Sequence, residues 1–530
     1  MRTISSKLPL FLASSLLAMT LSLPALAQQQ LDIFVSPEGL FGDVTGDTYS
    51  YKLVGEATGV TFNVTRGNFD NEDEKLSTIF ASGNLPTIIS IRSDKYVDDL
   101  GPRGLFVRLD EYIDAGKMPN LKARMEEYGV SFSDITSSDG HIYQAPRFSD
   151  VQFFNPALLM RADLAQECGV IADKNNPGPG SVISTVDDLY AALACEKDKL
   201  GGPAIAARDG FAAAAPKWAR WFGTSINQYY NPVSKTFEYG PLMGRYRTMV
   251  EFFAKLRADG ILHPDYATLT DAEWSAIHDS GKGGAALENA GWNYNRLRDK
   301  GIDPGKDFFV QSLTIDGERI LWPAPADINV GNVLVVSARS TPEQIEAAVK
   351  VIDYLYSDEG ASTIAYGKEG VDWQMGDNGK ACFLGTWLYR ANAHGYCDGK
   401  VPEATTFIQA SLLDGNPLYR MYGYGWKGKW AGVDNPDVAP DRWNEVVSQF
   451  TSAGSLADPA PRVQLTPDEI SSNAQYGTSL DTYVVEETQK FIDGTTPVND
   501  ETWGAFTAQV TAFGAQQIVD TYNAALARKQ

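Results

Sequence analysis

The alternation of apolar and polar positions predicts α and β units in turn from the start of the chain. Residues 31–35 form a short apolar run that reads as a strand, and Ser36-Pro37-Glu38-Gly39 reads as a turn. Residues 60–64 alternate apolar and polar like a second strand. Residues 75–81 have a helical pattern that stops at Ser82-Gly83 and leads into a strand at 87–91. Further along, Tyr246, Met249, Val250, Phe253 and Leu256 follow helical spacing and stop at Gly260. Thr341, with Pro342 and Gln344 behind it, reads as a capping box for a helix whose stripe is Ile345, Ala348, Val349, Ile352 and Leu355. Thr466-Pro467-Asp468-Glu469 repeats that signature near the end. Strands separated by helices predict an α/β fold with a mostly parallel sheet covered on both faces. Asn175 to Gly180 is Pro/Gly-rich and reads as a surface loop, and no internal repeat is visible.

The first 27 residues carry a different pattern. Arg2 and Lys7 precede a mostly apolar run at 8–21, and Ala25-Leu26-Ala27 is a small-x-small cleavage signal. That order predicts a secretory signal peptide over 1–27 and a mature chain from Gln28. The apolar run is short for a membrane span, and no other approaches 18 residues. No Cys lies near the cleavage signal, so a lipid anchor is not expected and the periplasm is the expected location. A chain of 530 residues can bury a large core and should split into two or more lobes. Its formal net charge of −22 repels phosphate backbones, which argues against nucleic acid as a partner. Four Cys fall as two sequence-local couples, Cys168 with Cys195 and Cys382 with Cys397. In an oxidising compartment these are expected to pair as disulfides, although four Cys allow three pairings. No CxxC or His-rich spacing supports a metal site instead.

The catalytic signatures are missing. Gly281-Lys282-Gly283-Gly284 lacks the upstream Gly and the following Ser or Thr of a phosphate loop, and reads as a turn into a strand. No GxSxG, HExxH or GxGxxG is present, and His141, His263, His278 and His394 are scattered. A glycosidase needs two carboxyls about 5 to 9.5 Å apart, a spatial fact that a chain with 67 acids does not reveal. Aromatics are more informative, at 11% of the chain. Many sit in polar or Gly-rich surroundings, as in Gly291-Trp292-Asn293-Tyr294-Asn295, Leu321-Trp322-Pro323, Val371-Asp372-Trp373 and Gly425-Trp426-Lys427-Gly428-Lys429-Trp430. A ring offers a flat apolar face to the C–H face of a sugar, and neighbouring polar side chains can bond its hydroxyls.

Several of these segments resemble one family. They include Ala81-Ser82-Gly83-Asn84-Leu85-Pro86-Thr87-Ile88-Ile89 and Leu109-Asp110-Glu111-Tyr112-Ile113 followed by Met118-Pro119-Asn120-Leu121. Others are Asp139-Gly140-His141-Ile142-Tyr143-Gln144-Ala145-Pro146-Arg147, Leu159-Met160-Arg161-Ala162-Asp163-Leu164, and Asp353 to Gly360 with Tyr366-Gly367 and Glu369-Gly370-Val371. Phe491-Ile492-Asp493-Gly494, Trp503 and Phe513-Gly514 complete the pattern. In order and spacing the chain resembles the family 1 extracellular solute-binding proteins, in the long branch with alginate-oligosaccharide-binding proteins and related lipoproteins.

The resemblance implies a type II-like, two-lobed α/β periplasmic binding protein with hinge strands and a ligand cleft between the lobes. Lobe I would hold 28–147 with 309–368, and lobe II 148–308 with 369–530. Crossings are expected near 146–150, 308–311 and 366–371. Trp292 and Trp373 would stack on sugar rings, Glu369 and Asp372 would accept hydroxyl protons, and Tyr143 and Arg147 would close one end of the cleft. Trp218, Trp322 and Asp327 are further candidates. Arg147 and Arg296 would fork the carboxylate of an acidic ligand. The alginate-binding members carry a calcium loop, but Ala206-Ala207-Arg208-Asp209-Gly210 keeps too few oxygen ligands for one, so no cofactor or metal is expected. The implied function is a non-enzymatic, monomeric receptor that delivers an oligosaccharide to an ABC transporter permease. A secreted lyase or hydrolase, and a receptor for peptides or other polar solutes, remain the alternatives.

Overall fold

The computed structural model describes residues 28–35, 45–67, 72–91, 94–148, 157–177, 183–288, 297, 301–305, 308–310, 312–323, 328–376, 381–384, 397, 450–451 and 454–529. The chain opens with β1 (Gln29–Val35), α1 (Tyr49–Thr58), β2 (Val60–Arg66), α2 (Glu72–Ser82), β3 (Ile88–Ile91), α3 (Asp94–Leu100), α4 (Leu109–Asp114), α5 (Pro119–Glu127) and β4 (Ala145–Phe148). It continues with β5 (Ala157–Met160), α6 (Ala162–Glu167), α7 (Val186–Leu200), α8 (Gly210–Trp221), β6 (Gln228–Asn231), β7 (Thr236–Tyr239), α9 (Gly244–Ala258), α10 (Asp271–Asp279), β8 (Ala286–Glu288) and β9 (Phe308–Val310). Then come β10 (Thr314–Ile315), β11 (Glu318–Arg319), β12 (Trp322–Pro323), β13 (Ile328–Val336), α11 (Pro342–Tyr356), α12 (Asp358–Tyr366), β14 (Trp373–Met375) and β15 (Ala381–Phe383). The last elements are β16 (Leu456–Ala457), α13 (Pro467–Ile492), α14 (Asp500–Ala512) and α15 (Ala515–Lys529).

The first body is built on a five-stranded sheet in the order β2-β1-β3-β13-β4. β1, β2 and β3 pair in parallel, and β13 runs antiparallel to both β3 and β4. Period-2 side-chain alternation divides the sheet into two buried faces. Leu31, Ile33, Ile88, Leu334 and Val336 pack into one cluster, joined by Val54 from α1 and Val349 and Ile352 from α11. Phe34, Ile89, Ile91, Val333 and Val335 point the other way, where Leu76 of α2 and Val97 of α3 cover them. Burial on both faces is what a crossover βαβ sheet requires.

The second body has its own core around the three-stranded sheet β8-β5-β9. Leu158, Leu193, Phe211, Trp218, Phe253, Val310 and Ile320 belong to it, as do Phe450, Leu480 and Phe506. Tyr246, Met249, Val250, Phe253 and Leu256 are buried along α9, as their spacing predicts. The predicted capping boxes are present: Thr341 accepts the Gln344 N–H and Thr466 accepts the Glu469 N–H. Both predicted disulfides form, Cys168–Cys195 and Cys382–Cys397.

Packing redraws the expected lobe borders. Phe308 and Val310 pair with β5, and Leu313, Ile315, Ile320 and Trp322 lie in the second core, so 309–323 belongs with the second body. Asp372 takes a hydrogen bond from the Tyr49 hydroxyl of α1, so 369–373 belongs with the first. The resemblance sets the expected border only approximately, and a short apolar strand does not itself encode which sheet it joins. Among the described residues no helix is long and apolar enough to cross a membrane.

Candidate functional site

Strand direction and register define the edge of the first sheet at which the chain leaves and returns. β1, β2 and β3 all end at the same edge of the first sheet, because they run parallel. β13 pairs Val333 with Ile91, so its residues before 333 extend beyond the end of β3. Ile328 at the start of β13 pairs with Phe148 at the end of β4. The chain therefore leaves the first body after Phe148 and re-enters at Ile328 from one edge, the edge formed by the carboxyl ends of the parallel strands. In open α/β sheets that edge is where ligands bind. On the other side, Ala157 at the start of β5 pairs with Glu288 at the end of β8, and Leu158 pairs with Val310 at the end of β9. Those three strand ends lie together at one edge of the second body's sheet.

Several candidate residues are close in the chain to these strand ends. Arg147 is the penultimate residue of β4, in register with Asn329. Trp292 follows the end of β8 by four residues, and Asp327 immediately precedes β13. Trp292, Arg296 and Asp327 lie outside the described residues.

Other candidates are structural. Trp218 is 1% exposed, and its ring stacks on Phe253 with centroids 3.9 Å apart, so that face is taken by the core. Trp322 is buried edge-on against Trp221 and Phe450. Tyr143 precedes β4 at the end away from the crossing edge, and its hydroxyl donates to Asp139 at 2.7 Å. Burial raises the Tyr143 phenol above its ordinary pKa, and Asp139 reinforces the rise. A Cβ on Gly101 would lie 2.5 Å from the Tyr143 ring, so this glycine makes room for the phenol.

Asp372, expected to accept a ligand hydroxyl, is instead a buried clasp. It accepts the Tyr49 hydroxyl at 2.6 Å and the Lys368 N–H at 2.7 Å. Burial, then the bond to Asp372, pushes the Tyr49 phenol above its ordinary pKa. Gly367 has φ 85°, and a Cβ there would stand 2.4 Å from the Asp372 carboxylate. Trp373 is likewise buried, with its indole N–H donating to the Gly367 carbonyl at 3.1 Å. The clasp fixes the start of α1, which returns from the crossing edge, onto the segment after α12. Nothing in the spacing of Tyr49 and Asp372 foretells their contact.

A groove of about 690 Å³ runs beside this clasp, lined by Leu53, Glu56, Tyr354, Glu359, Glu369 and the edge of Trp373 among others. All come from the first body. Glu369, exposed here, faces that flank. Among the described residues no group of three or more His, Cys, Asp or Glu is placed to hold a metal. At 206–210, Arg208 pairs with Asp271 at 2.6 Å and Asp209 has φ 58°.

Two bodies with separate cores, joined through strands that leave from one sheet edge, define a two-lobed binding protein. The chain belongs to the family of bacterial extracellular solute-binding proteins, which matches it over residues 51–368. It is similar to lipoprotein LipO of Bacillus subtilis, at 22% identity over 353 residues, 62% of this chain and 64% of that protein. The chain thus covers just under two thirds of that relative's length. Among solved structures it resembles the alginate-binding protein AlgQ2 without calcium ion, with TM-score 0.68 and 17% identity over 94% of this chain and 98% of that one. It also resembles an HMO binding, ABC-transporter associated solute-binding protein of Bifidobacterium longum infantis, with TM-score 0.65, 15% identity and coverage of 94% and 98%. The S. pneumoniae ABC-transporter substrate binding protein FusA, in complex with kestose, gives TM-score 0.65, 16% identity and coverage of 93% and 98%. These likenesses establish the two-lobed fold.

Proposed function

We propose that this protein captures an oligosaccharide between its two bodies and hands it, chemically unchanged, to the permease of an ABC importer. The observation that carries the reading is the single shared edge from which β4 leaves and to which β13 returns. A ligand bridging that edge and the facing ends of β5, β8 and β9 touches both bodies only when they close, so it favours the closed form. The aromatic-rich stretch 291–295 supports a sugar, because it directly follows the end of β8. The sugar ligands named for the structural relatives point the same way.

In this reading Trp292 stacks on a sugar ring, Arg147 and Asp327 bond hydroxyls from the first body, and Arg296 meets any carboxylate. Glu369 is a flank residue beside the Asp372 clasp. Residues 1–27 direct export, and the mature chain works as a monomer in the periplasm. Thermal shift against neutral and acidic oligosaccharides and peptides tests the reading, with each mixture checked for breakdown. A ligand at about 100 times its Kd stabilises the fold by about 2.7 kcal/mol. A shift with intact sugar is expected. A shift only with peptides, or cleavage of the sugar, would overturn it. Trp292→Ala should weaken sugar binding about tenfold, equivalent to about 1.4 kcal/mol, with circular dichroism unchanged. Equal affinity by calorimetry would remove Trp292 from the site.

A further inference from the structure

The turn that leads into β8 rests on a buried acid. Glu196 of α7 is 0% exposed, and among the described residues neither of its carboxyl oxygens has a hydrogen-bond partner. A Cβ on Gly284 would stand 2.6 Å from one of those oxygens and 2.8 Å from the Ala204 carbonyl, so the backbone at 284 lies directly on the carboxyl. The Ala285 N–H is close enough to help, but its own bond goes to the Ala204 carbonyl at 2.8 Å. The charges that act on Glu196 are Arg161 and Asp163. These two pair with each other, and the same guanidinium donates to the Gly281 carbonyl at 2.7 Å. His278 of α10 is a second titratable group at the turn, with its ring against Gly283.

A carboxylate buried without a hydrogen bond is far costlier than the neutral acid, so this group keeps its proton. Burial holds its pKa up to about 8, and Arg161 pulls only partly the other way. Lifting the turn off α7 lets water reach the carboxyl, which then releases the proton at its ordinary value of about 4.3. Seating the turn therefore takes up a proton between about pH 5 and pH 8, and acid favours the seated form. Above about pH 8 the seated form is itself ionised and the dependence ends. The Cys168–Cys195 disulfide anchors α7 beside Glu196, which leaves the turn as the part that lifts. The turn passes directly into β8: Ala285 bridges to Ile205, and Ala286, Leu287 and Glu288 pair with β5. The aromatic-rich stretch 291–295 follows at once.

We propose that Glu196 is a proton-dependent latch under the 281–285 turn, firmest in acid, through which pH sets how tightly β8 is held. Only the step from β8 to a ligand rests on the oligosaccharide reading, and the latch is tested without sugar. Hydrogen exchange at 284–288 in the ligand-free protein, corrected for intrinsic rates, measures the opening of the turn. From about pH 5 to pH 8 the opening constant should rise about tenfold per pH unit and then level off. Glu196→Gln, which stays neutral, should remove that rise. Any contribution of His278 persists in the variant, so the difference between the two profiles reads Glu196 alone. Helix α9, buried in the same core, should show no such slope. Equal profiles in wild type and variant would overturn the latch. So would the same slope in α9, because the proton would then leave only when the whole core unfolds. Should the variant fail to fold, the wild type decides between pH 7 and pH 9, above the middle of an ordinary histidine titration. A rise to about pH 8 and then a plateau, confined to 284–288, supports the latch, and a flat or shared profile refutes it.

Discussion

Glu196 is an acid in an environment at odds with its chemistry. It is fully buried on α7, beside Cys195, and its carboxyl would stand 2.6 Å from a Cβ placed on Gly284. Burial pushes its pKa up to about 8, with Arg161 and the Ala285 N–H only partly opposing the rise. The folded protein therefore keeps this proton to about pH 8, while the unfolded chain releases it at the usual carboxylate value. Between those values the folded state binds more protons, so this group's contribution to stability falls as pH rises. Glu196→Gln should flatten the decline in denaturation midpoint between pH 5 and pH 9. An unchanged slope would show that Glu196 is ionised in the fold. Gly367→Ala acts through sterics instead: it puts a Cβ at positive φ against Asp372, and should cost about 1–3 kcal/mol in urea denaturation. At this scale the sequence misleads where one side chain serves two ends. Trp218 reads as a sugar-stacking ring by type, but Phe211, Ala214 and Ala215 share its buried stripe on α8. That helical spacing was the available sign of a core role.

Elements were more legible than contacts. The capping boxes at Thr341 and Thr466 are local hydrogen-bond patterns within four residues, so the sequence contains all of their chemistry. The pairing of Cys168 with Cys195 was likewise suggested by proximity. It ties the end of α6 to α7 across 27 residues, and removing it should cost roughly 3 kcal/mol through loss of the loop constraint on the unfolded chain. A Cys168→Ala, Cys195→Ala double variant measured in urea checks this, and an unchanged midpoint would show that the bridge adds nothing to stability. Strand membership is less local. β9 is three residues long, and its pairing with β5 and the burial of Phe308 and Val310 in the second core, not its sequence, assign it to the second body. The same holds for Asp372, whose partner Tyr49 is 323 residues away.

For the whole molecule, alternating elements and motif order foretold an α/β chain in two bodies, and family membership supports that reading. Chain length and the spread of helices and strands carry that much. The arrangement of the cleft depends instead on register: β13 overruns β3 and pairs its first residue with the last of β4. No local pattern encodes it. The contact of Arg462 with Asp98 and the Asp134 carbonyl is invisible for the same reason, since these partners lie 364 and 328 residues away. The central claim is that a sugar closes the two bodies on each other and leaves unaltered. Small-angle scattering of residues 28–530, titrated with the oligosaccharide that gives the largest thermal shift, tests both halves when the sugar is recovered and analysed afterwards. The account predicts a smaller radius of gyration that saturates with binding, and full recovery of intact sugar. Binding without compaction, or recovery of shorter products, would contradict it.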